Sequence, residues 1–176
     1  MYFFFKYDDE RKRRYEFMVR SLVLELALSC EVFPEALLEL HKSCMLWKRA
    51  PSAAELLEVA ARIIDQFEHV YLVIDALDEC SDRRELLDAL ELVSKWQSGK
   101  THILSSSRDL KDIQVSMETC TTDTTDISLS TELVNNDIRA YVDEILKVDR
   151  ELKRWRNNPD AQELIRSILV HKSNGM

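Results

Sequence analysis

The sequence predicts an α/β domain built on a mostly parallel sheet, and three observations lead there. Short runs at residues 2–6, 70–74 and within 101–107 are too brief for typical helices, and the first two are rich in aromatic or β-branched side chains. The stretches between them carry apolar residues three and four apart, the spacing of one helix face. Strand and helix signals therefore alternate, as in βαβ units whose crossovers favour parallel pairing.

The elements follow in order. Residues 2–6 form a short aromatic run suited to a buried strand, one that needs neighbours from earlier sequence. From about residue 10 to 30, Tyr15, Met18, Val19, Leu22, Val23, Leu26, Ala27 and Cys30 mark the clearest helix. Pro34 suits the first turn of a second helix with Leu37, Leu40, Cys44 and Met45 inward. Ser52 and Glu55 have capping-box spacing ahead of a third, carrying Leu56, Val59, Ala60, Ile63 and Phe67. The continuous run Val70 to Ile74 reads as a strand covered on both faces, ending at Asp75. Asp82 and Glu85 cap the next helix, which holds Leu86, Ala89, Leu90, Val93 and Trp96 and stops at Gly99. A strand within 101–107 precedes Arg108. Residues 119–125 read as an exposed loop, followed by a weak strand at 126–129. Two helices close the chain: about 136–147, with Ile138, Tyr141, Val142 and Ile145 inward, and one capped by Asn158 with Pro159 at its first position. A soft join near 131–135 divides a core of residues 1–130 from a helical extension at 131–176.

Composition narrows the function. Across 176 residues the formal net charge is -8, which disfavours a nucleic-acid partner. No run approaches the roughly 20 apolar residues of a membrane span, and the amino-terminal order of apolar then basic residues reverses that of a signal peptide. The four cysteines form no CxxC and fit buried small hydrophobes in a reducing, cytoplasmic setting. His41, His69, His102 and His171 show no metal-ligand spacing and read as core-edge or surface residues. Trp47, Trp96 and Trp155 read as core packing. Only two glycines occur, Gly99 and Gly175, and neither belongs to a GxxxxGK(S/T) pattern. A phosphate cradle of backbone amides needs glycine for close approach, so this chain contains none.

Ligands of open parallel sheets bind beyond the carboxyl ends of the strands, which directs attention to Asp75, Asp78, Glu79 and Arg108. A rigid carboxylate at the end of an apolar strand suits Mg²⁺, so Asp75 is the metal candidate. Glu79 is the first choice as general base, with Asp78 as the other acidic candidate. Arg108 suits a phosphate sensor or charge stabiliser. The competing readings are a helix cap for Asp78 and a surface ion pair of Arg108 with Asp109 or Asp112.

YFFF at 2–5, YLVIDALDEC at 71–80, HILSSSRDL at 102–110, NNDIRAYVDEIL at 135–146 and the closing HKSNGM together resemble the NACHT group of STAND P-loop NTPases. Fungal NLR-like and nephrocystin-like proteins, often bearing ankyrin or other repeats, are the nearest in kind. The resemblance implies a three-layer P-loop NTPase core in which 71–80 is the extended Walker B segment and 102–110 is sensor 1. It implies Mg²⁺ and ATP or GTP as cofactors, Mg²⁺ at Asp75, hydrolysis supported by Asp78 and Glu79, and γ-phosphate sensing by Arg108. Partners would be nucleotide, the protein's own repeat and effector regions, and further copies in self-association. The family's Walker A strand and lysine would precede YFFF and its winged helix would follow GM. The Walker A strand would sit between the 101–107 and 126–129 strands, leaving a central slot here. The chain thus reads as part of a nucleotide-binding signalling domain, the alternative being an inactive remnant that serves only protein interaction or has no function.

Overall fold

The structure is a computed structural model that describes residues 1–96, 99–120, 125–128 and 132–173, the side chains of 132–135 and 170–173 excepted. The chain divides into two compact units, Met1–Thr124 and Thr125–Met176.

In the first unit the order is β1 (Tyr2–Phe4), α1 (Tyr15–Leu28), α2 (Glu35–Leu46), α3 (Ala53–Ile64), β2 (Val70–Asp75), α4 (Arg83–Ser94), β3 (Thr101–Ser105) and α5 (Lys111–Cys120). The three strands form one parallel sheet in the order β1-β2-β3. The register sets Phe4 beside Asp75 and Ile74 beside Ser105, so β2 is supported on both edges. The fold class is α/β, mostly helical, as the alternation of signals implies.

Val70, Leu72 and Ile74 alternate inward along β2 and meet Ile63 and Ile64 of α3, Val19 and Leu26 of α1, and Leu86 and Leu90 of α4. Full burial of each such side chain contributes about 1.5–3 kcal/mol. The expectation of cover on both faces is not met: Tyr71, Val73 and Asp75 are exposed, with Tyr71 at 61%. A continuous apolar run does not separate a strand buried on two faces from one buried on a single face, because burial is decided by the elements that pack on it.

Other differences have local causes. Residues 11–13 form a 3-10 turn, so α1 begins at Tyr15 rather than near residue 10. Met45 is 66% exposed although Cys44 beside it is buried: α2 packs mainly against α3, and Met45 lies off that contact face. Trp47 is likewise exposed, whereas Trp96 packs against the core. α4 stops at Ser94, before Gly99, whose φ of +92° serves the approach to β3 instead. α5 was not expected, and it takes Thr119 out of the anticipated loop; Val115 between Ile113 and Met117 obscures the helical period, and only Ile113 and Cys120 are buried. Residues 121–124 and Leu129 lie outside the described residues, and 126–128 carry no strand.

The second unit contains α6 (Glu132–Val148), a 3-10 helix at Glu151–Trp155 and α7 (Pro159–Ser173). Val142 and Leu146 are buried and Ile138 and Ile145 half-buried, whereas Tyr141 faces solvent rather than inward. The inward stripe therefore runs through Leu146. Asn158 caps α7 as expected, its Oδ1 accepting the Ala161 amide at 3.1 Å. Among the described residues no helix is long and apolar enough to cross a membrane.

Two features of the helix ends are testable. After α2, Lys48 adopts φ +49° while its amide donates to Met45 and that of Arg49 donates to Cys44, the paired bonds of a Schellman end that favours glycine. Lys48→Gly is expected to raise the unfolding free energy by about 1 kcal/mol, seen as a higher urea midpoint.

At α3 the capping box is complete: Glu55 N donates to Ser52 Oγ at 3.3 Å, and Ser52 N donates to Glu55 Oε2 at 2.9 Å. The Arg49 guanidinium, then Ser52, hold the Glu55 carboxyl at about 2, below its ordinary 4.5. The unfolded chain protonates first on acidification, so this contribution is present above about pH 4.5 and is lost as pH falls toward 2. Wild-type urea midpoints should fall more steeply across that window than those of Glu55→Gln, and added salt should narrow the difference.

Candidate functional site at the carboxyl ends of the strands

The parallel sheet delivers the exits of all three strands to one rim. Phe5 N donates to Asp75 O at 3.0 Å, which ties the end of β1 to the end of β2. On the other side, Ser106 N donates to Ile74 O at 3.0 Å and Leu77 N to Ser106 O at 2.9 Å. The Ser106 hydroxyl accepts from Ala76 N at 3.0 Å and donates to Asp75 Oδ1. Ser106 thus latches the β3 exit to the β2 exit with both main-chain groups and its side chain. It also fixes the carboxylate of Asp75, which stays exposed at the strand end.

Ala76 makes the turn out of β2 in the left-handed region, at φ +58° and ψ +54°. A non-glycine residue there is uncommon and strained. The turn leads directly into the 3-10 helix Leu77–Glu79, so the two remaining acidic candidates sit on a short rigid element.

The structure gives them different partners. Asp78, with its side chain only 10% exposed, accepts from Arg108 N at 3.1 Å and pairs with Arg108 Nε at 3.2 Å. Arg108 therefore pairs with neither Asp109 nor Asp112; Asp112 instead meets Arg83 at 3.2 Å. The Nη groups of Arg108 carry no hydrogen bond to the described residues and stand in solvent. Glu79 Oε2 accepts the Tyr7 amide at 2.7 Å, from the segment that leaves β1.

Asp82 does not cap its own helix with its side chain. Its Oδ2 accepts from Arg14 Nε at 2.8 Å and from Tyr15 N at 3.3 Å, so it serves the start of α1. This is a tertiary cap: an acidic residue satisfies orphan amides of a helix distant in sequence.

Among the described residues no three carboxylate, imidazole or thiol side chains converge to hold a metal by themselves. Asp75 alone still fits Mg²⁺, which takes one or two carboxylates and fills its octahedron with water and phosphate oxygens. A phosphate cradle is another matter. Gly99 lies before β3, at the opposite end of the sheet, and Gly175 lies outside the described residues. An apolar cavity lined by Leu22, Leu26, Leu57, Leu72 and Val93 measures about 30 Å³, far below the roughly 300 Å³ or more of a small-molecule site.

Asp75, Asp78, Glu79 and Arg108 thus share one rim, with Arg108 joined to Asp78. Sequence reasoning missed Ser106, because its place beside Asp75 follows from the pairing of β2 with β3, where it comes one step past the Ile74–Ser105 pair.

Because Ala76 holds this left-handed turn, Ala76→Gly should raise stability by about 1 kcal/mol in urea unfolding, and Ala76→Val should lower it. A lower midpoint for Ala76→Gly would contradict that account.

The model of the family described as Nephrocystin 3, N-terminal matches residues 1–108, a span that takes in every residue of this rim from Tyr7 to Arg108. No curated protein and no solved structure matches the chain.

Proposed function

This chain belongs to the nephrocystin 3 N-terminal family, and on that premise we propose that its first unit is part of the nucleotide-binding domain of a NACHT-type signalling NTPase. The observation that carries the reading is the latch between adjacent strand exits. Ser106 orients the Asp75 carboxylate, and the neighbouring exit presents Arg108 through Asp78.

Asp75 would hold Mg²⁺ together with the phosphates of ATP or GTP. The ion, when bound, would supply charge neutralisation on the phosphate oxygens. Glu79 is the residue that would take a proton from water, and the Tyr7 amide steadies its carboxylate. Asp78 acts as a positioning residue, aiming the Nη groups of Arg108 outward from the rim. The outer edge of β3, unpaired among the described residues, is where a strand leading into a phosphate loop would add.

A second reading is a protein-interaction module without turnover, favoured by the glycine count: two in the chain, neither in a GxxxxGK(S/T) pattern. Both readings meet one experiment, the binding of MgATP and MgGTP to the 176-residue chain and to a longer version that adds a strand and a GxxxxGK(S/T) loop before Met1. The short chain is expected to bind neither measurably. The longer version should bind one or both, Asp75→Ala should weaken the Mg²⁺-dependent part, and Glu79→Gln should cut turnover by about 100-fold or more while leaving binding in place. Absence of binding by the longer version, or turnover indifferent to both substitutions, sinks the NTPase reading and leaves the interaction module.

A further inference from the structure

The opposite rim of the sheet holds a second cluster. His69 immediately precedes β2, and Tyr71, two residues on, projects to the same open face. The register of β2 with β3 sets Tyr71 directly beside His102. As a result two histidines 33 residues apart in sequence stand together, with His69 Nδ1 3.2 Å from His102 Nε2. Both are surface residues, as the sequence implies, but they stand as a pair. Spacing along one element did not reveal the pair because it is formed across two strands.

We infer that His69 and His102 form a two-histidine site for a divalent transition-metal ion of the zinc class, distinct from the carboxylate rim. Zinc–imidazole bonds of about 2.0–2.1 Å at a tetrahedral angle place their two nitrogens about 3.3 Å apart. The observed 3.2 Å separation already matches that bite. The ring centroids lie 5.3 Å apart with planes inclined at 40°, so the two nitrogens face one another across the gap that the ion would enter. On binding, the proton between the facing nitrogens would pass through water to the other ring nitrogen of the donor histidine, which frees a lone pair on each of His69 Nδ1 and His102 Nε2 for the ion.

The site is held from behind. Tyr71 stacks on His102 at 4.7 Å and 18°, which restricts the imidazole to one plane. Val70 N donates to Lys100 O at 2.8 Å, pinning the start of β2 to the residue before β3 and so fixing the distance between the two backbones. Both rings are exposed, which gives an ion direct entry. Among the described residues no third histidine, cysteine or carboxylate joins the pair, so water completes the shell and two coordination positions stay exchangeable. Imidazole donors select zinc, copper or nickel over Mg²⁺, which takes oxygen ligands; the two ends of the sheet therefore favour different ions.

Calorimetric titration of the full chain with Zn²⁺, in a thiol-free buffer with the cysteines kept reduced by a phosphine, tests the assignment. One ion per chain is expected at this pair. His69→Gln and His102→Gln should each lower affinity by at least about tenfold, and the double variant should lose the event. His41→Gln, on the exposed surface of α2, should leave it unchanged. Imidazole resonances followed by nuclear magnetic resonance should show His69 and His102 shifting together as Zn²⁺ is added. Absence of binding at about millimolar Zn²⁺, or a double variant that titrates like the wild type, overturns the proposal. Circular dichroism checks that each variant remains folded.

Discussion

Val70, Leu72 and Ile74 leave one face of the central strand and enter a core walled by α1, α3 and α4. A strand alternates with period two, so this anchoring settles where every other side chain of β2 must go. Tyr71, Val73 and Asp75 are carried to the opposite face, and His69 continues that row at the strand's start. Slipping β2 by one residue would bury Asp75 and expose Ile74, which the core cannot tolerate. The register of this single strand therefore sets the carboxylate rim at one end of the sheet and the paired imidazoles at the other.

Rigidity at the carboxylate rim comes from the backbone more than from ion pairing. The main chain of Ser106 bonds on both sides of the β2 exit, and its hydroxyl adds two further bonds, so Asp75 is oriented with no ion-pair partner among the described residues. The Arg108–Asp78 pair is of another kind. Its arginine side chain is 59% exposed, so its contribution to stability is small, and its effect is on where the guanidinium points. The left-handed turn at Ala76 links the two arrangements, because it lets the chain leave β2 sharply enough to bring Asp78 under the β3 exit.

The open face of the sheet is unusual for parallel strands, which are ordinarily covered on both sides. Tyr2, Phe4, Tyr71, Val73 and Leu104 are all exposed on these strands. The side that is covered was read well from periodicity: the stripes of α1 and α3, the capping box at Ser52 and Glu55, and the strand ending at Asp75 all stand where apolar spacing and cap chemistry place them. The failures share a cause. Met45, Tyr141 and Trp47 are apolar or amphipathic residues whose exposure depends on whether a neighbouring element reaches them, and α5 buries too few residues to impose a clean period.

By itself the sequence determined the alternation of elements, the acidic strand end, the arginine past the next strand and the shortage of glycine, because each is a matter of local propensity or of covalent composition. Only the tertiary structure decided that Ser106 holds Asp75, that Asp78 rather than Asp109 or Asp112 takes Arg108, that Asp82 caps a distant helix, and that His69 meets His102. All four are contacts between segments about 30 to 70 residues apart, created when parallel pairing brings strand ends into register. No pattern read along one segment contains that information, since it belongs to the pairing and not to either strand alone.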